Sequence, residues 1–213
     1  METTVYLIRT GVTPWHAERR VLGQSDIPLS RDGLEQAAAV ASTLSGVKLA
    51  EVLSSPKQRA VETAEIIGRA VGIEVARDPR LDDVRLGKWG AMTYAEVAAT
   101  GEYQEFLRQP DRIAAPGGES LLELQRRALA AVEQVLSDCP YGDAVAIVTH
   151  ADIIRVLINH YMGSPPGNYR QLLVSPGSIS ILSFADSREP PRVLAINLAG
   201  SIDHVVRRSG SRA

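Results

Sequence analysis

A chain of 213 residues, 45% apolar and 23% charged, has the composition of an ordinary globular protein, long enough to bury roughly 70% of its unfolded surface in one domain but not to build two complete cores. The formal net charge of -2 supplies no bulk attraction to nucleic acid or to an anionic membrane, so any anion preference has to be local. The single cysteine, Cys139, excludes an internal disulfide and offers no metal knuckle.

The first residues enter a strand without a charged and then apolar signal pattern, and no run of about 18 apolar residues occurs. These features lead to the expectation of a cytoplasmic protein. Short runs rich in Val, Ile and Leu alternate with longer helical patterns, which predicts an α/β fold: a three-layer sandwich with a mostly parallel sheet and helices on both faces. Val5 to Ile8 reads as the first strand. Ser30 caps a helix with Leu34, Ala37, Ala38, Ala41 and Leu44 on one stripe, ended by Gly46. Val52 to Ser54 suits a buried strand, Pro56 a first helical turn running on to about Ala70 before Gly72, and Ile73 to Ala76 a short strand.

Periodicity weakens from Pro79 to Glu119, where Gly87, Gly90, Gly101, Pro110, Pro116, Gly117 and Gly118 punctuate two short helical stretches. The segment 79–119 is read as an inserted lid within a single domain spanning 1–213. Ser120 and Glu123 form a capping box for a helix to about Ser137, followed by the strand AVAIVT and the helix ADIIRVLINHYM, which Gly163 ends. ISILSF and RVLAINL look like closing strands, an antiparallel pair at the sheet edge. The tail RRSGSRA is expected to fray.

Ligands of open α/β sheets collect beyond the carboxyl ends of the strands, where helix N-termini present free N–H groups. Arg9 and Thr10 follow the first strand, Arg59 lies just after SSP, and His150 directly follows AVAIVT. If the strands are neighbours, two guanidiniums and an imidazole surround one small volume. That set suits a phosphate dianion, because each guanidinium offers two charge-assisted hydrogen bonds in a planar fork. The plainer alternatives are a carboxylate pairing for Arg9, a solvated surface position for Arg59, a core histidine at 150 and a turn residue at Asp83. His160 and His204 lack partner spacing and read as structural or surface residues.

The opening VYLIRTGVTPWHAERRVLGQSDIPLSRDGLEQA, with SSPKQRAVETA, LDDVRLGKWG, PGGES and VTHADIIRVL in that order, resembles the histidine phosphatase (phosphoglycerate mutase-like) superfamily over nearly the whole chain. The resemblance implies a phosphoglycerate mutase-like sandwich and a small phosphate monoester as partner; no cofactor, metal, nucleic acid or membrane is expected, and a homo-oligomer stays open. It gives Arg9 and Arg59 the phosphate-binding arginine roles, Asp83 the general-acid position normally held by glutamate, and His150 that of the second histidine. His16 falls where asparagine commonly contacts the phosphoryl group.

Thr10 stands where the resemblance expects the histidine that takes up the phosphoryl group. Imidazole departs readily from phosphorus, whereas a threonine alkoxide does not, so a cycle through phosphothreonine stalls at a stable ester. Threonine is also a weak nucleophile without a base, and His150 held between arginines and phosphate is expected to be protonated. Three readings remain at this point: a phosphomonoesterase scaffold with its usual route disabled, a phosphometabolite- or phosphoprotein-binding pseudoenzyme, and an engineered variant of an active phosphatase. In the first, a water in the space left by histidine, activated by Asp83 or His16, leaves room for slow direct hydrolysis.

Overall fold

The computed structural model describes residues 2–139, 142–185 and 190–200. Six strands form one sheet: β1 (Thr3–Arg9), β2 (Leu49–Ser54), β3 (Val75–Arg77), β4 (Ala144–Thr149), β5 (Ile179–Phe184) and β6 (Arg192–Leu198). Their order is β3-β2-β4-β1-β5-β6. The first four in that order run parallel, and β5 and β6 close the sheet as an antiparallel pair.

Alternation along β1 divides the core. Val5 and Leu7 face one side, against α6 (Leu121–Asp138) and α7 (Ala151–Tyr161). Tyr6 and Ile8 face the other, against α2 (Arg31–Leu44) and α3 (Gln58–Val71). Both faces of the parallel strands are therefore covered, which explains their unbroken apolar runs. The helix starts follow local chemistry: Ser30 Oγ accepts from the Gly33 N–H at 3.2 Å, and Ser120 and Glu123 complete a reciprocal capping box.

Three details depart from the sequence expectation. Leu34 and Ala38 are exposed, and the buried stripe of α2 runs through Gly33, Ala37, Val40, Ala41 and Leu44. The cause is Gly33, where a Cβ would meet the Val12 carbonyl oxygen at 2.1 Å; the helix turns its side-chain-free point onto the loop after β1, and Leu34 swings outward. Second, α3 begins at Gln58 rather than Pro56, because the Ser55 N–H still donates to the Val148 carbonyl at 3.0 Å and prolongs the strand ladder. Third, β3 starts at Val75, because Gly72 adopts φ 76° and the Ile73 N–H folds back onto the Gly68 carbonyl at 3.0 Å.

Residues 79–119 contain 3₁₀ turns at Pro79–Leu81 and Gly87–Trp89, then α4 (Tyr94–Ala98) and α5 (Gly101–Arg108). They share a small apolar cluster of Val21, Trp89, Val97 and Ala115, separate from the two sheet-face cores. A short helix, α1 (Pro14–Ala17), sits beside it in sequence after β1. Among the described residues no helix is long and apolar enough to cross a membrane, and no group of acidic, His and Cys side chains has the arrangement of a metal site. The expected fraying of the tail and the reading of His204 concern residues outside those described. His160 is exposed near the end of α7, its ring edge-on to Tyr161.

Candidate active site

Strand register sets the site. Arg9 on β1 pairs with Thr149 on β4, and Ser54 on β2 pairs with Val148, so the carboxyl ends of three parallel strands are level. Thr10, Ser55 and His150 each follow one of those ends. Above them is a cavity of about 410 Å³ whose walls include Arg9, Thr10, His16, Arg59, Asp83 and His150. All six residues singled out in the sequence thus converge on one volume.

Arg59 is fully buried near the start of α3. Its Nη1 donates to the Ser25 carbonyl at 2.7 Å, and its Nη2 to the Gly23 carbonyl and the Asp83 carboxylate at 2.8 Å each. Both hydrogens of Nη2 are therefore committed, and the open planar fork expected from sequence does not exist at Arg59. A ligand oxygen meets its full charge, together with Nε and one hydrogen of Nη1. Arg9 is more open: Nη1 donates to the Val174 carbonyl at 2.5 Å. Burial and the neighbouring charge of Arg155 lower its hold on its proton, so an anion arriving there relieves an existing repulsion.

His16 adds a donor by tautomer logic. The Thr13 N–H donates to His16 Nδ1 at 3.0 Å, which puts the proton of the neutral ring on Nε2. Burial and the charges of Arg9 and Arg59 lower its pKa, which favours the neutral ring. Nε2 lies 3.3 Å from Arg9 Nη2. Two donors at that separation, with no acceptor of their own between them, are suited to sharing an anionic oxygen.

His150 is buried at the N-terminus of α7, with Nε2 2.8 Å from Ser55 Oγ and Nδ1 3.6 Å from Asp83 Oδ2. Burial, then Arg59 and Arg9, push its pKa well below the ordinary histidine value. The protein's own groups thus hold it neutral, and the protonated state expected from the sequence has to be induced by the anion itself. Asp83 and Asp82 take opposite directions. Asp82 accepts from Ser55 Oγ at 3.2 Å and lies 3.5 Å from Lys57, whereas Asp83 turns into the cavity wall. Burial raises the Asp83 pKa against the opposing pull of Arg59 and the Val84 N–H.

The backbone carrying Asp83 is tied down by residues that sequence reading passed over. Thr149 Oγ1 donates to the Leu81 carbonyl at 2.7 Å. Arg127 donates to the carbonyls of Arg80, Asp82 and Asp83 at 2.8, 2.7 and 3.0 Å, and pairs at 2.7 Å with Glu119, whose side chain is buried. Ser55 lies in SSP and Glu119 in PGGES, where the sequence shows the residues but not their partners. Arg127, mid-helix among charged neighbours, gave no such signal.

The model of the histidine phosphatase superfamily (branch 1) matches residues 5–198. This chain belongs to the histidine phosphatase superfamily. It is 33% identical over 207 residues to the probable phosphoglycerate mutase GpmB of Escherichia fergusonii, covering 94% of each chain. Among solved structures, Bacillus stearothermophilus YhfR superposes with a TM-score of 0.85 at 30% identity, covering 95% of this chain and 99% of that one. A mycobacterial glucosyl-3-phosphoglycerate phosphatase gives 0.84 at 27% identity, covering 93% and 100%. Membership of the superfamily agrees with the mixed α/β sheet and its phosphoglycerate mutase-like order.

Proposed function

We propose that this protein binds phosphate monoesters on a phosphomonoesterase scaffold whose phosphohistidine route is disabled by Thr10. The observation that carries the reading is the meeting of Arg9, Arg59, His16 and His150 around one cavity, with the buried Thr10 at the end of β1 beside them. In this reading the three basic side chains and the His16 Nε2–H hold the phosphoryl oxygens, and Asp83 is placed to give a proton to a departing alcohol. A raised carboxyl pKa favours that role. The segment 79–119 acts as the lid that bounds the ester's organic part. Relatives named as a mutase and as a phosphatase both support phosphoester chemistry.

The deciding experiment is Thr10→His beside the parent chain on a panel of phosphate monoesters. A histidine there restores an imidazole that attacks phosphorus, releases the alcohol protonated by Asp83, and yields its phosphoryl group to water. Turnover should rise by a factor on the order of a thousand or more, since loss of a nucleophile costs up to about a million-fold. Equal turnover in both proteins would show that Thr10 disables nothing. The binding reading is checked by phosphate or vanadate raising the melting temperature of the parent chain.

A further inference from the structure

The geometry points to an aryl phosphate, or a monoester of a similarly bulky apolar alcohol, as the ligand class of this cavity; the inference rests on the phosphate-binding reading above. The cavity has two chemically different halves. Its floor is the cationic cluster. Its upper wall is formed by Leu86, Trp89, Tyr103, Phe106, Ile113 and Tyr169.

The aromatic part of that wall is internally organised. Trp89 meets Tyr103 and Phe106 edge-on at ring-centre distances of 5.7 and 5.4 Å, and Tyr103 stacks on Phe106 at 6.4 Å. A volume of about 410 Å³ falls in the roughly 300–1,000 Å³ range of sites that bury sizeable organic molecules, and is far more than a phosphate on a three-carbon acid fills.

Charge in the upper half decides between a ring and a second anion. A phosphorylated carboxylic acid needs a cation at its far end. Arg155, the deeper candidate, is paired with Asp152 at 2.9 Å and donates Nε to the Leu172 carbonyl at 3.0 Å. Arg170 is exposed at the rim, its guanidinium lying over the Phe106 ring at 5.5 Å. One cation is therefore paired with a carboxylate and the other is solvated, while Leu86, Trp89, Phe106 and Ile113 line the same half with apolar surface. A second carboxylate placed there loses water without gaining a desolvated partner, whereas a neutral ring gains aromatic contacts.

The test uses the full chain and calorimetric titration with inorganic phosphate, 1-naphthyl phosphate, 3-phosphoglycerate and 1-naphthol. Burying one ring system against this wall should make 1-naphthyl phosphate bind about tenfold or more tighter than inorganic phosphate, with 3-phosphoglycerate gaining no comparable factor. In Phe106→Ala and in Tyr103→Ala the ratio of naphthyl phosphate to phosphate affinity should fall severalfold. The inference is overturned if 3-phosphoglycerate binds more tightly than 1-naphthyl phosphate, or if the ratio survives in both variants while inorganic phosphate still binds. Undetectable binding of inorganic phosphate, with 1-naphthol as tight as its phosphate, would instead bring down the cage reading, and the aryl phosphate assignment with it.

Discussion

Arg59 carries more of the site than its charge. It holds two carbonyls of the loop at Gly23 and Ser25 as well as the Asp83 carboxylate, so its removal leaves a buried acid and two carbonyls unpaired. Arg59→Ala should therefore destabilise the protein by about 3–5 kcal/mol, the usual cost of orphaning one member of a buried pair. It should also abolish the rise in melting temperature caused by phosphate. Chemical denaturation with and without phosphate separates the two effects, and an undiminished phosphate response in the variant would remove Arg59 from the binding site. At this scale the sequence was informative where a residue had a neighbour in a recognisable string, as with His150 after AVAIVT. It was silent about Arg127, whose carbonyl partners lie far back along the chain, and about which hydrogens of Arg59 are already spent.

The elements meet the site through close backbone approaches. A Cβ on Gly11 would lie 2.4 Å from the Gly33 carbonyl oxygen, and one on Gly33 would lie 2.1 Å from that of Val12. Helix α2 is thereby pressed directly onto the loop that carries Thr10, and the Val12 N–H donates to Gln36 on the same helix at 2.9 Å. Gly33→Ala should cost about 1–3 kcal/mol by overpacking, despite alanine's better helix propensity, and should weaken phosphate binding by displacing Arg9 and Thr10. A variant as stable as the parent, measured by denaturant midpoint, would contradict this. The same contact explains why helical periodicity alone placed Leu34 inward. Periodicity finds an apolar stripe, but a glycine needed for close approach resets which side of the helix faces the sheet. The strands were legible because their apolar runs are continuous. The segment from 79 to 119 was not, because its cluster around Trp89 is assembled from short turns without a period.

For the molecule as a whole, the buried imidazoles tie stability to pH. His150 and His16 are both held below the ordinary histidine pKa by burial and nearby arginines. In the unfolded chain they take up protons near pH 6.5. Below that value the unfolded state binds more protons than the folded one, so stability is lost as pH falls through and below about 6.5, by at most about 1.4 kcal/mol per pH unit for each histidine. Asp83, with a raised pKa, acts in the opposite sense and lower, near the carboxylate range. Unfolding free energy measured between pH 7.5 and 5.5 should therefore decline on acidification, and His150→Gln should flatten part of the decline. A slope identical to the parent's would show that this imidazole is not responsible.

The doubly committed Nη2 of Arg59 gives the molecule one more property. An oxyanion seeking either of its hydrogens has to evict a carbonyl or the Asp83 carboxylate, and an evicted carboxylate beside incoming negative charge takes up a proton more readily. Under the proposed function, ester binding that goes through Nη2 rather than through the open Nε and Nη1 hydrogens is tied to protonation of the acid, and shows as a buffer-dependent heat of proton uptake on titration.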